Sequence, residues 1–531
     1  MSALLSADDL NDFISPGIAC IKPTVTENRS QEAREYGEVE IQIDENGKPL
    51  EISKIDGATK NLSPAQISLA DCLACSGCIT SAEEILVAQH SHNELIKALK
   101  EKKTNNKIFV ASISHQARAS LATAYDMKVS DIDRLLVDLL VNQMGFTYVV
   151  GTGLGRKLSL INELQNIIEK KEHGFQGPIL SSICPGWVLY AEKTHPHVLL
   201  RISDTKSPQQ ITGCLLKSLT AHQLEVERDQ IYHLSIMPCF DKKLESARPE
   251  QDPLLALNDV DCVLTPKELV TLLDECKDEF SLTFDALSHS SGSLTDLYQS
   301  CAPANWPYVE LSWSSDSGSL SGGYGYNYLQ LLQLHLCLLD PQQYQPQNFR
   351  LESVAGRNKD IYELRLMYND NQVASSAIVN GFRNIQNLVR KLKPTSSSTT
   401  TKTNPLVARR KARLSSKRSE SGTQDVQQAD ASKCDYVEIM ACPNGCINGG
   451  GQINLPTDED QKLWVSKTLT SYGSIPMVDL SSDSSLTLEL MAWCREFCIS
   501  YNVPESRLLK TWFHEVEQPT DQAAILVGSK W

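Results

Sequence analysis

The chain has 531 residues, enough for two to four domains that each bury a core of their own, and 41% of them are hydrophobic. A formal net charge of -15 and a pI near 5.3 argue against a dedicated nucleic-acid binder, whose docking face would be basic. No run of 18 apolar residues occurs, so a soluble protein without a membrane span is expected.

The first twelve residues carry Asp8 and Asp9 with no basic stretch ahead of an apolar one, so neither a secretory signal nor an Arg-rich presequence is expected. The 16 cysteines should then sit in a reducing compartment, where metal binding or plain packing explains them better than disulfides. Cys20 lies in the apolar Ile18-Ala19-Cys20-Ile21. Residues 29–63 are polar and mostly acidic, and read as a flexible insertion without helical or strand periodicity.

Next comes Asp71-Cys72-Leu73-Ala74-Cys75-Ser76-Gly77-Cys78. An iron-sulfur cube needs four thiolates around its corners, and two-residue spacers let one loop wrap three of them, with Gly77 relieving backbone crowding. The fourth must come from elsewhere, and Cys20 is the nearest candidate with apolar flanks. Zinc is the competing metal, but a triple without a second distant C-x2-C pair favours iron-sulfur.

From residue 107 onward short apolar runs at 107–113, 147–150, 178–183, 233–237 and 260–264 alternate with helical patterns, as in parallel α/β structure. The clearest helix is 132–143, with Ser130 as N-cap and Gly145 closing the far end. Residues 361–368 and 372–379 form an antiparallel hairpin around Asn369-Asp370-Asn371. Residues 394–433 are Ser/Thr-rich and then basic, a solvated linker with an import signal or an anion-binding patch as the alternative. A strand follows at 436–440, and the chain beyond about 457 is helical.

Three further cysteines directly follow strand-like runs: Cys184, Cys239 and Cys442. Ligands in open α/β sheets gather beyond the carboxyl ends of strands, so these three are expected to meet in one crevice, and Cys446 completes a thiolate quartet. Asn448-Gly449-Gly450-Gly451-Gln452 can bring bare backbone amides up to the sulfides of an anionic cluster.

Ser182-Ile183-Cys184-Pro185-Gly186-Trp187, Met237-Pro238-Cys239-Phe240-Asp241-Lys242-Lys243-Leu244-Glu245 and the run from Glu438 to Gln452 resemble, in order, the three signatures around the active cluster of iron-only hydrogenases. Ser207-Pro208-Gln209-Gln210 adds to the likeness. Together with Leu10-Asn11-Asp12-Phe13-Ile14-Ser15-Pro16 and the first cysteine run, the chain is similar to the eukaryotic hydrogenase-like factors of cytosolic iron-sulfur assembly, the relatives of prelamin A recognition factor. The resemblance implies an iron-only-hydrogenase-like α/β fold: two α/β lobes with a cluster between them, plus a small N-terminal ferredoxin-like cluster region. It implies two 4Fe-4S clusters, one on Cys20, Cys72, Cys75 and Cys78 and the other on Cys184, Cys239, Cys442 and Cys446. The domain divisions expected are 1–100, 105–392, 393–433 and 434–531.

One departure bears on activity. Hydrogenases place a proton-relaying cysteine where this chain has Ile183, which cannot move a proton, so Lys242 and Glu245 alone are not expected to support hydrogen formation. The expected role is cluster transfer and maturation of cytosolic and nuclear iron-sulfur proteins, with no catalytic residue; an iron-only hydrogenase-type oxidoreductase is the alternative. Implied partners are an early P-loop NTPase scaffold and a late WD40-containing targeting complex reached through Trp531, with no direct nucleic acid. The expected location is the cytoplasm and also the nucleus.

The remaining cysteines, 214, 262, 276, 301, 337, 434, 494 and 498, read as packing residues, although Cys494 and Cys498 share a helix face that can grip a metal. Gly151-Thr152-Gly153-Leu154-Gly155-Arg156-Lys157 fits no phosphate-loop spacing and reads as a tight strand-to-helix turn. Gly322-Gly323 reads as close backbone packing, and His115 as a satisfied loop residue.

Overall fold

Parallel strands buried on both faces need near-continuous apolar runs, and Ile108-Phe109-Val110-Ala111-Ser112-Ile113 provides one at the centre of the first sheet. The computed structural model describes residues 89–249, 258–282, 292–393, 428–453, 461–482 and 484–516, with Val87 and the backbone of three short strands between 39 and 61. The chain divides into two units, 1–84 with 523–531, and 85–522.

In the first unit the three strands are β1 Val39–Ile43, β2 Pro49–Ser53 and β3 Thr59–Asn61, an antiparallel sheet in the order β1-β2-β3. This corrects the expectation of no strand periodicity over 29–63. Val39-Glu40-Ile41-Gln42-Ile43 does alternate apolar and polar with period two, and the acidic composition around it masks the signal.

The second unit carries two sheets. One is fully parallel in the order β5-β4-β7-β8, with β4 Ile108–Ile113, β5 Tyr148–Gly151, β7 Ile231–Ile236 and β8 Cys262–Leu264. The other is mixed, in the order β6-β12-β11-β10-β9. Here β6 is Ile179–Leu180, β9 Phe349–Ala355, β10 Ile361–Tyr368, β11 Asn371–Asn380 and β12 Tyr436–Met440. β12 runs parallel to both β6 and β11, while β9, β10 and β11 are antiparallel. Asn369 and Asp370 both take positive φ, 44° and 66°, the backbone of a two-residue hairpin turn.

Several boundaries differ from expectation for local reasons. The 178–183 run keeps only two ladder residues because Ser181 and Ser182 divert their hydroxyls to the backbone: Ser181 Oγ accepts Ile439 N–H at 2.9 Å, and Ser182 Oγ donates to Thr205 O at 2.7 Å. The helix expected over 132–143 starts earlier, as Val129–Val137, with Lys128 rather than Ser130 at its N-cap. It continues as a π-helix, Asp138–Gln143, in which the Asp138 carboxylate receives Asn142 and Gln143 at 2.8 and 2.9 Å. Gly145, at φ 74°, reverses the chain just beyond.

The packing that aims the first signature comes from Trp187. Its side chain is fully buried one turn into the helix Pro185–Thr194, and its Nε1–H donates to Ser181 O at 3.1 Å. Truncation to alanine at such an anchor costs about 3–5 kcal/mol and would free the helix that Cys184 begins. Strand order does the rest: β6 and β12 are adjacent and parallel, so Cys184 and Cys442 follow strands whose carboxyl ends point the same way.

Candidate metal centre

Cys184 is the N-cap residue of Pro185–Thr194, with Pro185 at the first helical position, where a missing N–H costs nothing. Its Sγ accepts the Ala441 N–H at 3.3 Å, which ties the first signature to the strand end that carries Cys442. Cys239 follows β7 after Met237-Pro238; Met237 N–H closes the ladder on Leu264 O at 2.9 Å, and Pro238 O receives Gly451 N–H at 3.0 Å. The glycine run therefore folds back onto the turn that presents Cys239. A Cβ on Gly449 would run into that same Pro238 oxygen.

Between Cys442 and Cys446 the loop turns through Asn444 at φ 59° and Gly445 at φ 84°. Asn444 N–H donates to Asp360 Oδ1 at 2.7 Å, and Gly445 N–H to Cys442 O at 3.1 Å. The left-handed backbone at Gly445 strains any residue with a Cβ, and a Cβ there would also strike Ser321 Oγ.

Four thiols thus come from three chain segments, those of Cys184, of Cys239 and of the Cys442–Cys446 loop, and face one another. Burial pushes the Cys184 thiol up to about 12, with Cys446 the next cause. Burial likewise raises Cys239 well above the ordinary thiol value, followed by Asp241 and then the other three thiols. Cys442 is raised by burial and then by Cys184 and Cys446, while the Gly450 N–H pulls the other way. Cys446 is raised by burial and drawn down by Ser321 and Lys242. Four thiolates held this close repel one another and call for a cationic core among them.

The donor set fits an iron-sulfur cluster. All four donors are sulfur, and the Gly450 N–H is aimed at one of them. Among the described residues no three His, Cys, Asp or Glu side chains converge on a single-ion position. A cube does not ask them to, since each thiolate takes its own corner, whereas a structural zinc would. Cys20, Cys72, Cys75, Cys78 and Trp531 lie outside the described residues, as do Arg409, Arg410, Lys411, Arg413, Lys417 and Arg418.

Lys242 is tied inside the protein. Its Nζ donates to Glu245 Oε1 and Oε2 at 2.8 and 2.9 Å and to Ile183 O at 3.1 Å. Glu245 in turn accepts from Ser207 Oγ at 2.7 Å and Gln209 Nε2 at 3.2 Å, and Gln210 Nε2 donates to its carbonyl at 2.9 Å. The Ser207-Pro208-Gln209-Gln210 motif therefore clamps the helix Asp241–Ser246 that follows Cys239.

The outer support includes residues that sequence reading missed. Ser321 Oγ accepts the Cys446 N–H at 2.9 Å. Ser321 N–H and Gly323 N–H both donate to Ser319 Oγ at 3.2 Å, and Ser319 Oγ donates to the fully buried Glu438. Glu438 Oε2 also accepts Gly325 N–H at 2.8 Å; burial raises its pKa, and these donors oppose the shift. The available signals were a carboxylate inside an otherwise apolar strand and the serines ahead of Gly322-Gly323.

The decoys resolve simply. Gly151 ends β5 and Gly153 starts the helix Gly153–Glu172; Lys157 Nζ is buried against Asp316 Oδ1 at 2.8 Å, so this lysine is spent inside the fold. His115 begins the helix His115–Ala124 rather than lying in a loop, and its Nε2 pairs with Ser314 O at 2.5 Å. Cys214, Cys262, Cys301, Cys434 and Cys494 are buried; Cys276, Cys337 and Cys498 are partly so.

Residues 107–450 match the family model of the iron only hydrogenase large subunit, C-terminal domain. Over its full length the chain is 96% identical to the cytosolic Fe-S cluster assembly factor NAR1 of Meyerozyma guilliermondii, across 531 residues and 100% of both chains. The chain belongs to this family of hydrogenase-like cytosolic Fe-S cluster assembly factors. The Debaryomyces hansenii member is 67% identical, again across 100% of both chains. Among solved structures, apo FeFe-hydrogenase HydA1 from Chlamydomonas reinhardtii superposes with a TM-score of 0.55 at 20% identity, covering 80% of this chain and 99% of that one. The assembly factor's two-sheet α/β architecture is therefore iron-only-hydrogenase-like.

Proposed function

We propose that the protein is a non-catalytic factor of cytosolic iron-sulfur protein assembly that holds two 4Fe-4S clusters. Cys184, Cys239, Cys442 and Cys446 hold one, and Cys20, Cys72, Cys75 and Cys78 the other. The observation that carries this reading is the convergence of four thiols, Cys184 after β6, Cys239 after β7, and Cys442 and Cys446 on the loop after β12. The relatives' names support a cytosolic role, and no helix among the described residues is long and apolar enough to cross a membrane.

When bound, such a cluster supplies a metal cross-link between segments and one-electron chemistry. The chain's own part is positional. Pro185 and Trp187 fix the start of the Cys184 helix, Gly445 and Ser321 set the Cys446 turn, and Lys242 lends positive charge beside the thiolates. Because this quartet joins segments far apart in the chain, its cluster is structural. The N-terminal cluster is the labile one, exchanged between an early P-loop NTPase scaffold and a late WD40-containing targeting complex that reads Trp531, for maturation of cytosolic and nuclear clients.

Iron and acid-labile sulfide per chain after anaerobic purification test the assignment. About eight irons follow from two cubes, and Cys184→Ala or Cys442→Ala should lose about half the iron together with soluble protein. Well-folded, colourless, metal-free protein from an anaerobic preparation would overturn it.

Retention of Lys242, Glu245 and the Ser207 motif beside the thiols favours one second reading, an oxidoreductase on the same scaffold. Ile183 at the relay position and the tie of Lys242 Nζ to Glu245 and Ile183 O weigh against it. Hydrogen evolution from reduced dye, with infrared bands of CO and CN ligands, would establish that reading, and silence in both would remove it.

A further inference from the structure

Away from the thiol quartet, two sulfhydryls share one face of the helix Ser484–Ser500, which packs against Gly153–Glu172. Cys494 is 5% exposed and Cys498 half-buried, and both are free thiols. Each thiol is the first cause of the other's shift: Cys494 is raised by Cys498 and then by burial, and Cys498 is lowered by Cys494. Met491 stands one turn before Cys494, so three sulfurs follow the i, i+3, i+7 spacing of one helix face. Cys494 lies in the core, with Met491 and Cys498 packed at its edge.

Geometry removes two ordinary explanations. Cβ atoms four residues apart on a helix are about 5–6 Å apart, whereas a disulfide needs about 3.5–4.5 Å. The two sulfurs therefore cannot be joined directly without unwinding a turn. Zinc needs about four ligands, and no three His, Cys, Asp or Glu among the described residues converge on one ion position. A soft cation satisfied by two thiolates, with a thioether as third donor, fits the spacing, and sulfur ligands of this kind select monovalent copper.

We propose that Cys494 and Cys498, assisted by the Met491 thioether, form a binding site for a single Cu(I) ion. Both S–H bonds break, two Cu–S bonds form, the two protons pass to solvent, and copper stays monovalent throughout. Arg495 and Glu505 are the charged groups that face the pair, and they are opposite in sign.

The test uses full-length, cluster-loaded protein titrated anaerobically with Cu(I) against a colorimetric Cu(I) chelator. The wild type should retain one more chelator-resistant equivalent than Cys494→Ser or Cys498→Ser, at unchanged iron and sulfide content. Cys276→Ser, which removes a partly exposed thiol elsewhere, should bind as the wild type does. Met491→Leu should keep the stoichiometry but yield copper at roughly ten-fold lower chelator concentration. Copper X-ray absorption of the wild type should show two or three sulfur neighbours. Equal copper retention by wild type and both cysteine variants, or a four-coordinate nitrogen and oxygen shell, would overturn the site. Should either serine variant fold poorly, the wild type's thermal midpoint decides: it must rise with Cu(I), and no rise counts against the site.

Discussion

Ser321 accepts the backbone N–H of Cys446 on its hydroxyl at 2.9 Å, from a loop 125 residues earlier in the chain. That contact is the last link of a brace running from the buried Glu438 carboxylate through Ser319 to the turn that presents a cluster-ligand candidate. Ser321→Ala leaves a part-buried N–H without its acceptor, at a cost of about 1–3 kcal/mol. Outer-shell partners of metal ligands usually matter roughly 10- to 100-fold in affinity. Iron release to a chelator should accelerate by about that factor, with most secondary structure retained. Unchanged release at unchanged stability would show the brace to be idle.

The glycine run offers a contrast between neighbours. A methyl on Gly449 collides with Pro238 O and lies 3.2 Å from Cys446 O, whereas the nearest atom to a methyl on Gly450 is Phe240 Cδ2 at 4.0 Å. Gly449→Ala must push the turn carrying Cys239 outward, an overpacking cost of about 1–3 kcal/mol, and should lower bound iron. Gly450→Ala keeps the N–H that faces Cys442 and should purify with wild-type iron content. Iron per chain for the two variants, side by side, checks the pair.

Arg248 holds Glu192 in a two-point contact, 2.8 Å at each nitrogen, and also donates to Trp512 O at 3.3 Å. Glu192 is 2% exposed and additionally receives His514 N–H at 3.2 Å, while its carbonyl accepts Val516 N–H at 3.1 Å. The segment 511–516 is thereby clipped onto the helix that Cys184 begins. Arg248→Ala strands a buried carboxylate and should cost about 3–5 kcal/mol in urea unfolding. The double change Glu192→Leu with Arg248→Met should recover most of that, because apolar replacement of a buried pair is often neutral. A double variant as unstable as Arg248→Ala would mean that the strap, not the stranded charge, sets the cost.

How much of this was legible in the sequence depends on whether a signal is local. The strand before Cys442 and the hairpin turn at Asn369-Asp370 announce themselves through apolar runs and turn chemistry, and the structure places them as expected. The convergence of Cys184, Cys239, Cys442 and Cys446 followed from the general tendency of strand ends to collect ligands. The Ser319, Ser321 and Glu438 brace was not legible: it depends on a loop without periodicity docking against a strand over 100 residues away. The sheet over 39–61 was missed for another reason, since a short period-two pattern was outweighed by acidic composition. The π-helical end of the 129–143 helix turns on Asp138 binding two side chains on the following turn, which no propensity encodes.

His233 supplies a pH-dependent contribution to stability. Its ring is fully buried on β7; the Nδ1–H donates to Asp259 O at 2.7 Å, and Nε2 pairs with the Ser112 hydroxyl at 2.9 Å. Burial lowers its pKa to about 4; Lys217 acts in the same direction, and the Asp259 carbonyl, Asp261 and the Asp259 carboxylate oppose it. Between about 6.5, the unfolded value, and about 4 the unfolded chain takes up a proton that the folded chain refuses. Stability is therefore complete above that window and falls as pH drops through it, by on the order of 3 kcal/mol across its full width. His233→Asn keeps a donor for the Asp259 carbonyl and removes the titration. The loss in urea-unfolding free energy from pH 7 to pH 5 should then be smaller in His233→Asn than in the wild type by about 2 kcal/mol. Parallel losses in the two proteins would place the acid sensitivity elsewhere, in the carboxylates that must be protonated or in the thiol quartet.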